Sequence, residues 1–247
     1  MKEQSFINLC SSSLQVLVRN PLISLASLFL YLILILLSNL SSQVKPYMTT
    51  TLLTTLWLIL YGAVALLLGS FIFSGMIGLS AQAQKKGISK NSLIKIFFSS
   101  ALKYGWKNMQ IILLIIAIGA LITFLSIQIA SLTLSVIGDS ASIALLFLLQ
   151  LAGIIGVMSF FYLASFYLVL DKNSTIASIK TSISSVKKHF LFISWSLLFF
   201  FSISGLLSIL SNKVEIPYFI TELVYALILF PFFVVYSTKL AAYYMED

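Results

Sequence analysis

The sequence predicts an all-α polytopic membrane protein, with six transmembrane helices as three hairpins, each preceded by a cytoplasmic amphipathic interfacial helix. Three observations carry this. Of 247 residues, 60% are hydrophobic and only 9% charged, with a mean hydropathy of +1.08. A soluble domain carries about 25% charged residues to keep its surface wet. Uncharged runs recur six times, and lysine and arginine gather at alternate ends of them. Such a composition excludes a soluble enzyme, a secreted disulfide scaffold and a nucleic-acid-binding domain.

The first span covers residues 22–40. The second, 52–83, reads as one long helix, because Thr49, Thr50, Thr51, Thr54 and Thr55 would make a poor core for a separate crossing. The third runs over 109–137, the fourth over 140–170, the fifth over 190–211 and the sixth over 218–240. A crossing needs about 20 apolar residues, so the second, third and fourth must tilt or run past the hydrocarbon. Gly138-Asp139 makes a tight turn between the third and fourth. Pro217 fits the first turn of the sixth, where Glu222 meets the positive end of the helix dipole. A cation-entry site is the alternative reading of Glu215 and Glu222. Pro231 interrupts the hydrogen-bond ladder and should kink the last span, which makes it the hinge candidate.

The charges give an orientation. Lys2, Arg19, Lys85, Lys86, Lys90, Lys95, Lys103, Lys107, Lys172, Lys180, Lys187, Lys188 and Lys239 fall on one side. Only Lys45 and Lys213 fall on the other, with Asp139, Glu215 and Glu222. The positive-inside bias places the basic side in the cytoplasm, with both termini, and the plasma (inner) membrane is the expected location. The net charge of +8 is then a topology signal. No signal peptide is expected, since the first apolar run is too long and lacks a small-x-small cleavage pattern. The lone Cys10 reads as a small apolar residue rather than a reactive thiol.

The basic segments are amphipathic at 100° per residue. Over 4–19 the apolar stripe is Phe6, Ile7, Cys10, Leu14, Leu17 and Val18. Over 92–106 it is Ile94, Phe97, Phe98, Ala101 and Tyr104, with Lys95 and Lys103 opposite and Lys107 just beyond. Over 174–189 it is Ile176, Ile179, Ile183 and Val186, with Lys188 opposite and Lys180 and Lys187 on the flanks. Lysine stems on such flanks can snorkel, so these six lysines are the headgroup candidates for anionic lipid. Asn91 or Ser92, and Asn173 or Ser174, are candidate N-caps. The chain thus forms a single domain, 1–247, with pseudo-repeats at 1–84, 85–170 and 171–247. Lys90-Asn91-Ser92-x-Ile94 matches Lys172-Asn173-Ser174-x-Ile176, which supports a repeat; chance in a biased composition is the other reading.

Four features resemble six-helix prokaryotic membrane families related to the membrane domain of glycerophosphodiester phosphodiesterases. They are Arg19-Asn20-Pro21 after the opening helix, and Ala81-Gln82-Ala83-Gln84 before a lysine loop. Leu168-Val169-Leu170-Asp171 followed by Ile176-Ala177 and Lys180 is the third, and Pro231 with Ala241-Ala242-Tyr243-Tyr244 the fourth. The resemblance implies a fold far more than an activity, because each motif is a helix boundary or packing pattern. The phosphodiesterase catalytic domain itself is absent from this sequence.

Reactive chemistry is scarce. His189, the only histidine, reads as a solvated boundary residue beside Lys187 and Lys188, far short of the three or four ligands zinc needs. No carboxylate falls mid-span, and no phosphate- or dinucleotide-binding glycine motif is present. Neither catalysis nor a metal or cofactor is expected. Spaced small residues (Ser70, Ser74 and Gly78; Ala65 and Gly69; Ala152 and Gly156; Ser204 and Ser208) suit close packing within the chain. Gln128 and Gln150 each lie 11 residues from Asp139, hence at one depth on neighbouring spans. They are expected to pair, shielded, inside a bundle without a large cavity, at about 0.6 kcal/mol.

Three functions remain. The chain is a non-catalytic scaffold or assembly component binding lipid or a protein partner, a permease for a small or lipid-like solute, or an anchor for a separately encoded soluble enzyme. Cysteines placed singly at Ser42, Ser140 and Asn212 should label from outside, and one at Lys90 only after permeabilisation. External labelling at position 90 would overturn this topology.

Overall fold

A computed structural model describes residues 5–44, 50–84, 90–171, 174–213 and 218–245. Lys2, Lys45, Lys85, Lys86, Lys172, Asn173, Glu215 and Pro217 lie outside the described residues. Nearly all the described chain is helical, as a bilayer requires: a helix satisfies its own backbone polar groups where no water can. The elements are α1 (Phe6–Arg19), α2 (Leu22–Val44), α3 (Thr51–Ala83), α4 (Lys90–Ile137) and α5 (Asp139–Phe161). They continue as α6 (Ala164–Leu170), α7 (Thr175–Lys213), α8 (Tyr218–Val224), a π-helical segment (Tyr225–Leu229) and α9 (Phe230–Met245). Six stretches are long and apolar enough to cross a membrane: Leu22–Val44, Thr51–Ala83, Ser92–Thr133, Ser140–Leu170, Thr175–Ser211 and Phe219–Met245.

Local chemistry sets the boundaries. The Ser5 and Thr50 hydroxyls cap α1 and α3 by accepting from the Asn8 and Leu53 amides. Ser174 caps α7 through the Ala177 amide, as its position predicts. Gly138 turns α4 into α5 at a φ of 79°, a region open to glycine. The 33-residue α3 is unbroken, so the threonines begin a long helix rather than divide two.

Separate interfacial helices do not precede every hairpin. Only α1 stands alone; residues 92–106 run straight into the third span within the 48-residue α4. At about 1.5 Å per residue α4 is roughly 70 Å long, far more than a bilayer core. Residues 175–188 join the fifth span through a kink at His189, whose φ and ψ of −127° and 30° are non-helical. The expected stripes divide as well. Ile7, Leu14, Val18, Ile94, Phe98 and Ile176 are exposed, while Leu17, Ala101, Tyr104 and Val186 are buried. Serines take inward positions instead: Ser13 on α1, Ser100 on α4, and Ser178, Ser182 and Ser185 on α7.

The core draws on the starts of the first, third and fifth spans and the ends of the second, fourth and sixth. Ile23, Tyr104, Ile111, Ile193, Met76, Leu168 and Leu240 all belong to it. The most extensive contact joins α3 to α4, across the expected repeat boundary at 84–85. Aromatic rings sit on glycines there in both directions. A Cβ on Gly75 would lie 2.6 Å from the Phe97 ring, and one on Gly105 would strike Phe71. Asn108, fully buried, donates to the Ser70 carbonyl at 3.3 Å. Close packing thus holds for Ser70, Ser74 and Gly78 but not for Gly69 or Gly156, where an added Cβ meets nothing within 4 Å.

A Cβ at Gly78 would overlap the Ser100 side chain. Gly78→Ala should therefore cost about 1–3 kcal/mol of overpacking in micellar unfolding. Gly69→Ala should be neutral or stabilising, given alanine's better helix propensity. Equal costs at the two positions would rule out α3–α4 contact as the cause.

Candidate functional site

The last span departs from regular helix just before Pro231. Proline has no N–H for the carbonyl four residues back, and its ring crowds that carbonyl. The chain answers with a wider turn, in which the Phe230 amide bonds the Tyr225 carbonyl five residues earlier. The kink expected at Pro231 thus takes the form of a π-helical segment, and Pro231 itself is buried. The segment packs against α2.

Two adjoining cavities open beside it, between α7 and the last span. One, of about 260 Å³, is lined by Ser204, Leu207, Ser208, Ser211, Thr221, Glu222 and Tyr225. The other, of about 370 Å³, reaches toward the core past Met158, Leu197, Phe200, Phe201, Leu229, Phe230 and Phe233. Ser204 and Tyr225 line both. The Thr221 hydroxyl donates to Ser211 at 2.9 Å, tying the two walls at the polar end.

Hydroxyl pairs close the structure below the cavities. Tyr162 pairs with Ser237, and Ser196 with Tyr236 at 2.7 Å. Ser159 meets Ser194 at 3.0 Å, and Tyr167 donates to Ser185 at 2.8 Å. Span four is itself broken at Tyr162-Leu163, where Ser182 of α7 donates to the Phe160 carbonyl at 2.7 Å. None of these pairs was visible as a sequence motif.

Gln128 and Gln150 do not form the expected shielded pair. Gln128 is exposed and Gln150 half-buried, with no side-chain hydrogen bond between them among the described residues. The reason is helical phase. Ser126 and Ala130 are buried, and two residues on from Ser126 is about 200° around the helix, on the opposite face. His189 is likewise no plain solvated residue: its ring stacks on Tyr244 at 4.2 Å and 11°.

Of the lysine candidates, Lys95, Lys103, Lys180, Lys187 and Lys188 are exposed and Lys107 is half-buried. The Lys103 ammonium stands 5.3 Å from the centre of the Tyr104 ring. Among the described residues, no three of the histidine, cysteine and acidic side chains come together as metal ligands. Comparison with protein-family models, curated proteins and solved structures finds no match to the chain.

Cys10 on α1 is half-buried, and burial pushes its thiol up from the usual range. A raised thiol pKa leaves less thiolate at any given pH. Cys10 should therefore react with a water-soluble maleimide at pH 7.5 more slowly than free glutathione, and catch up only as pH climbs above the usual thiol range. A rate matching or exceeding glutathione at pH 7.5 would contradict this.

Proposed function

We propose that this chain is a non-catalytic, lipid-binding scaffold or assembly component of the plasma membrane, with three hairpins and both termini in the cytoplasm. The observation that carries the reading is the surface of the basic end. Along α4, exposed Ile94, Phe98 and Leu102 run in a row beside exposed Lys95 and Lys103. On α7, exposed Ile176 and Leu191 bracket Lys180, Lys187 and Lys188. On α1, Ile7, Leu14 and Val18 face outward beside Arg19.

Apolar side chains and cations alternating on one outer surface fit the boundary between acyl chains and anionic headgroups. The composition of the core supports the three-hairpin topology. Antiparallel crossings are what bring the starts of odd spans to the ends of even ones. A permease for a lipid-like solute is the second reading, favoured by the cavities beside the π-helical segment. No charged side chain among the described residues lines the apolar cavity, which speaks against ion coupling there.

Each exposed lysine near an anionic surface contributes about 1 kcal/mol. Replacing Lys95, Lys103, Lys180, Lys187 and Lys188 together by Gln should remove most of any preference for phosphatidylglycerol over phosphatidylcholine. Native mass spectrometry of the protein released from mixed nanodiscs reads that preference directly. A lipid profile unchanged by the five substitutions would sink the headgroup-binding role.

A further inference from the structure

We propose that the two adjoining cavities between α7 and the last span form one site for an amphiphile with an ammonium headgroup, the head at Glu222 and the alkyl chain among the phenylalanines. This goes beyond the lipid-binding reading, since the site is separate from the lysine surface and opposite in charge.

The cavities are graded in polarity along one axis. Hydroxyls and the Glu222 carboxylate line the end away from the core, and Phe200 and Phe233 line the end toward it. Volumes of about 260 and 370 Å³, joined at Ser204 and Tyr225, together suit one small ligand with a chain. Glu222 is half-buried and is the one charged side chain lining the cavities among the described residues. Among the described residues no lysine or arginine lines the cavities, so a head carrying only an anionic group, such as a sulfate, would meet a like charge with no cation beside it. An ammonium supplies the counterion and donates to carboxylate and hydroxyls alike.

The wall that makes the space is the π-helical segment, whose ends, Tyr225 and Leu229, face the cavities. Wide turns of this kind are found most often at functional sites, and irregular backbone at membrane depth belongs where it lines a cavity. The ammonium could come from an ethanolamine phospholipid or from a free alkylamine, and the two are separable.

The test uses the full chain in nonionic maltoside micelles, which carry no ammonium, and a twelve-carbon alkylamine carrying a diazirine in its chain. Photolabel should map to residues 197–204 and 229–233. Excess dodecylamine should displace it and dodecyl sulfate should not. Glu222→Gln, nearly isosteric, should weaken half-saturation about tenfold or more, the loss expected for a charge-assisted contact. Ser204→Trp, which fills the junction, should abolish labelling. Displacement by an ethanolamine lysophospholipid assigns the head to a membrane lipid, and displacement by dodecylamine alone assigns a free amine; either supports the site. Label outside the cavities, equal displacement by dodecyl sulfate, or unchanged affinity in Glu222→Gln overturns it. The competition arm needs no variant, so a misfolded substitution does not shelter the proposal. The lysine substitutions tested above should leave this labelling unchanged.

Discussion

The Phe160 carbonyl lies where span four breaks, and Ser182, reaching across from α7, donates to it at 2.7 Å. Ser182 is fully buried, and a carbonyl freed from the helix ladder beside it needs a partner from a neighbouring helix. That bond fixes α7 against the end of α5. The hydroxyl pairs around it extend the join: Ser159 with Ser194, Tyr167 with Ser185, Ser196 with Tyr236 and Tyr162 with Ser237. Spans four, five and six are thereby held in one register by groups that lipid cannot satisfy. Each bond is modest, about 0.6 kcal/mol on average in membranes. Their effect lies in alternatives excluded, because sliding a span would strand several hydroxyls at once.

The same constraint explains which parts of the fold were legible. Long uncharged runs report crossings directly, so all six, the unbroken α3 and the turn at Gly138 could be read from residues. The inward faces could not. Apolar periodicity marks the buried side of a helix in water, but in a bilayer the outside is as apolar as the inside. Ile7, at 75% exposure, and Ile176, at 68%, therefore face out while Ser13, Ser178 and Ser182 are fully buried. Gln128 misled for a related reason: depth follows from residue count, but direction needs the helical phase set by Ser126 and Ala130. The cavity was half legible. Pro231 announces an interruption, yet nothing in its neighbours says whether the chain will kink sharply or widen into a π turn. A better signal lay in Ser204, Ser208 and Ser211 on one face of α7, opposite Thr221, Glu222 and Tyr225 on the last span.

The two ends of the bundle are built differently, and this difference sets where a ligand can sit. At the basic end α3 buries Ser70, Ser74, Met76 and Ser80 against its neighbours, with rings seated on glycines. At its other end Leu52, Leu56 and Leu60 are exposed. On α7, Ile193, Ser196 and Leu197 are buried, while Leu206, Ile209 and Leu210 are exposed. Small residues and hydroxyl pairs hold the helices close at the basic end, whereas Ser204, Ser208 and Ser211 at the other end line open space beside Thr221 and Tyr225. A space lined by phenylalanine lacks the dispersion contacts that a packed one would make. A wide turn at Tyr225–Leu229 and a carboxylate at Glu222 make this space a shaped one, polar at one end and apolar at the other. The closely packed half is complete without the cavity, because its hydroxyl pairs and seated rings are satisfied among themselves. Binding energy spent in the open half therefore goes into recognising a ligand rather than into completing the fold.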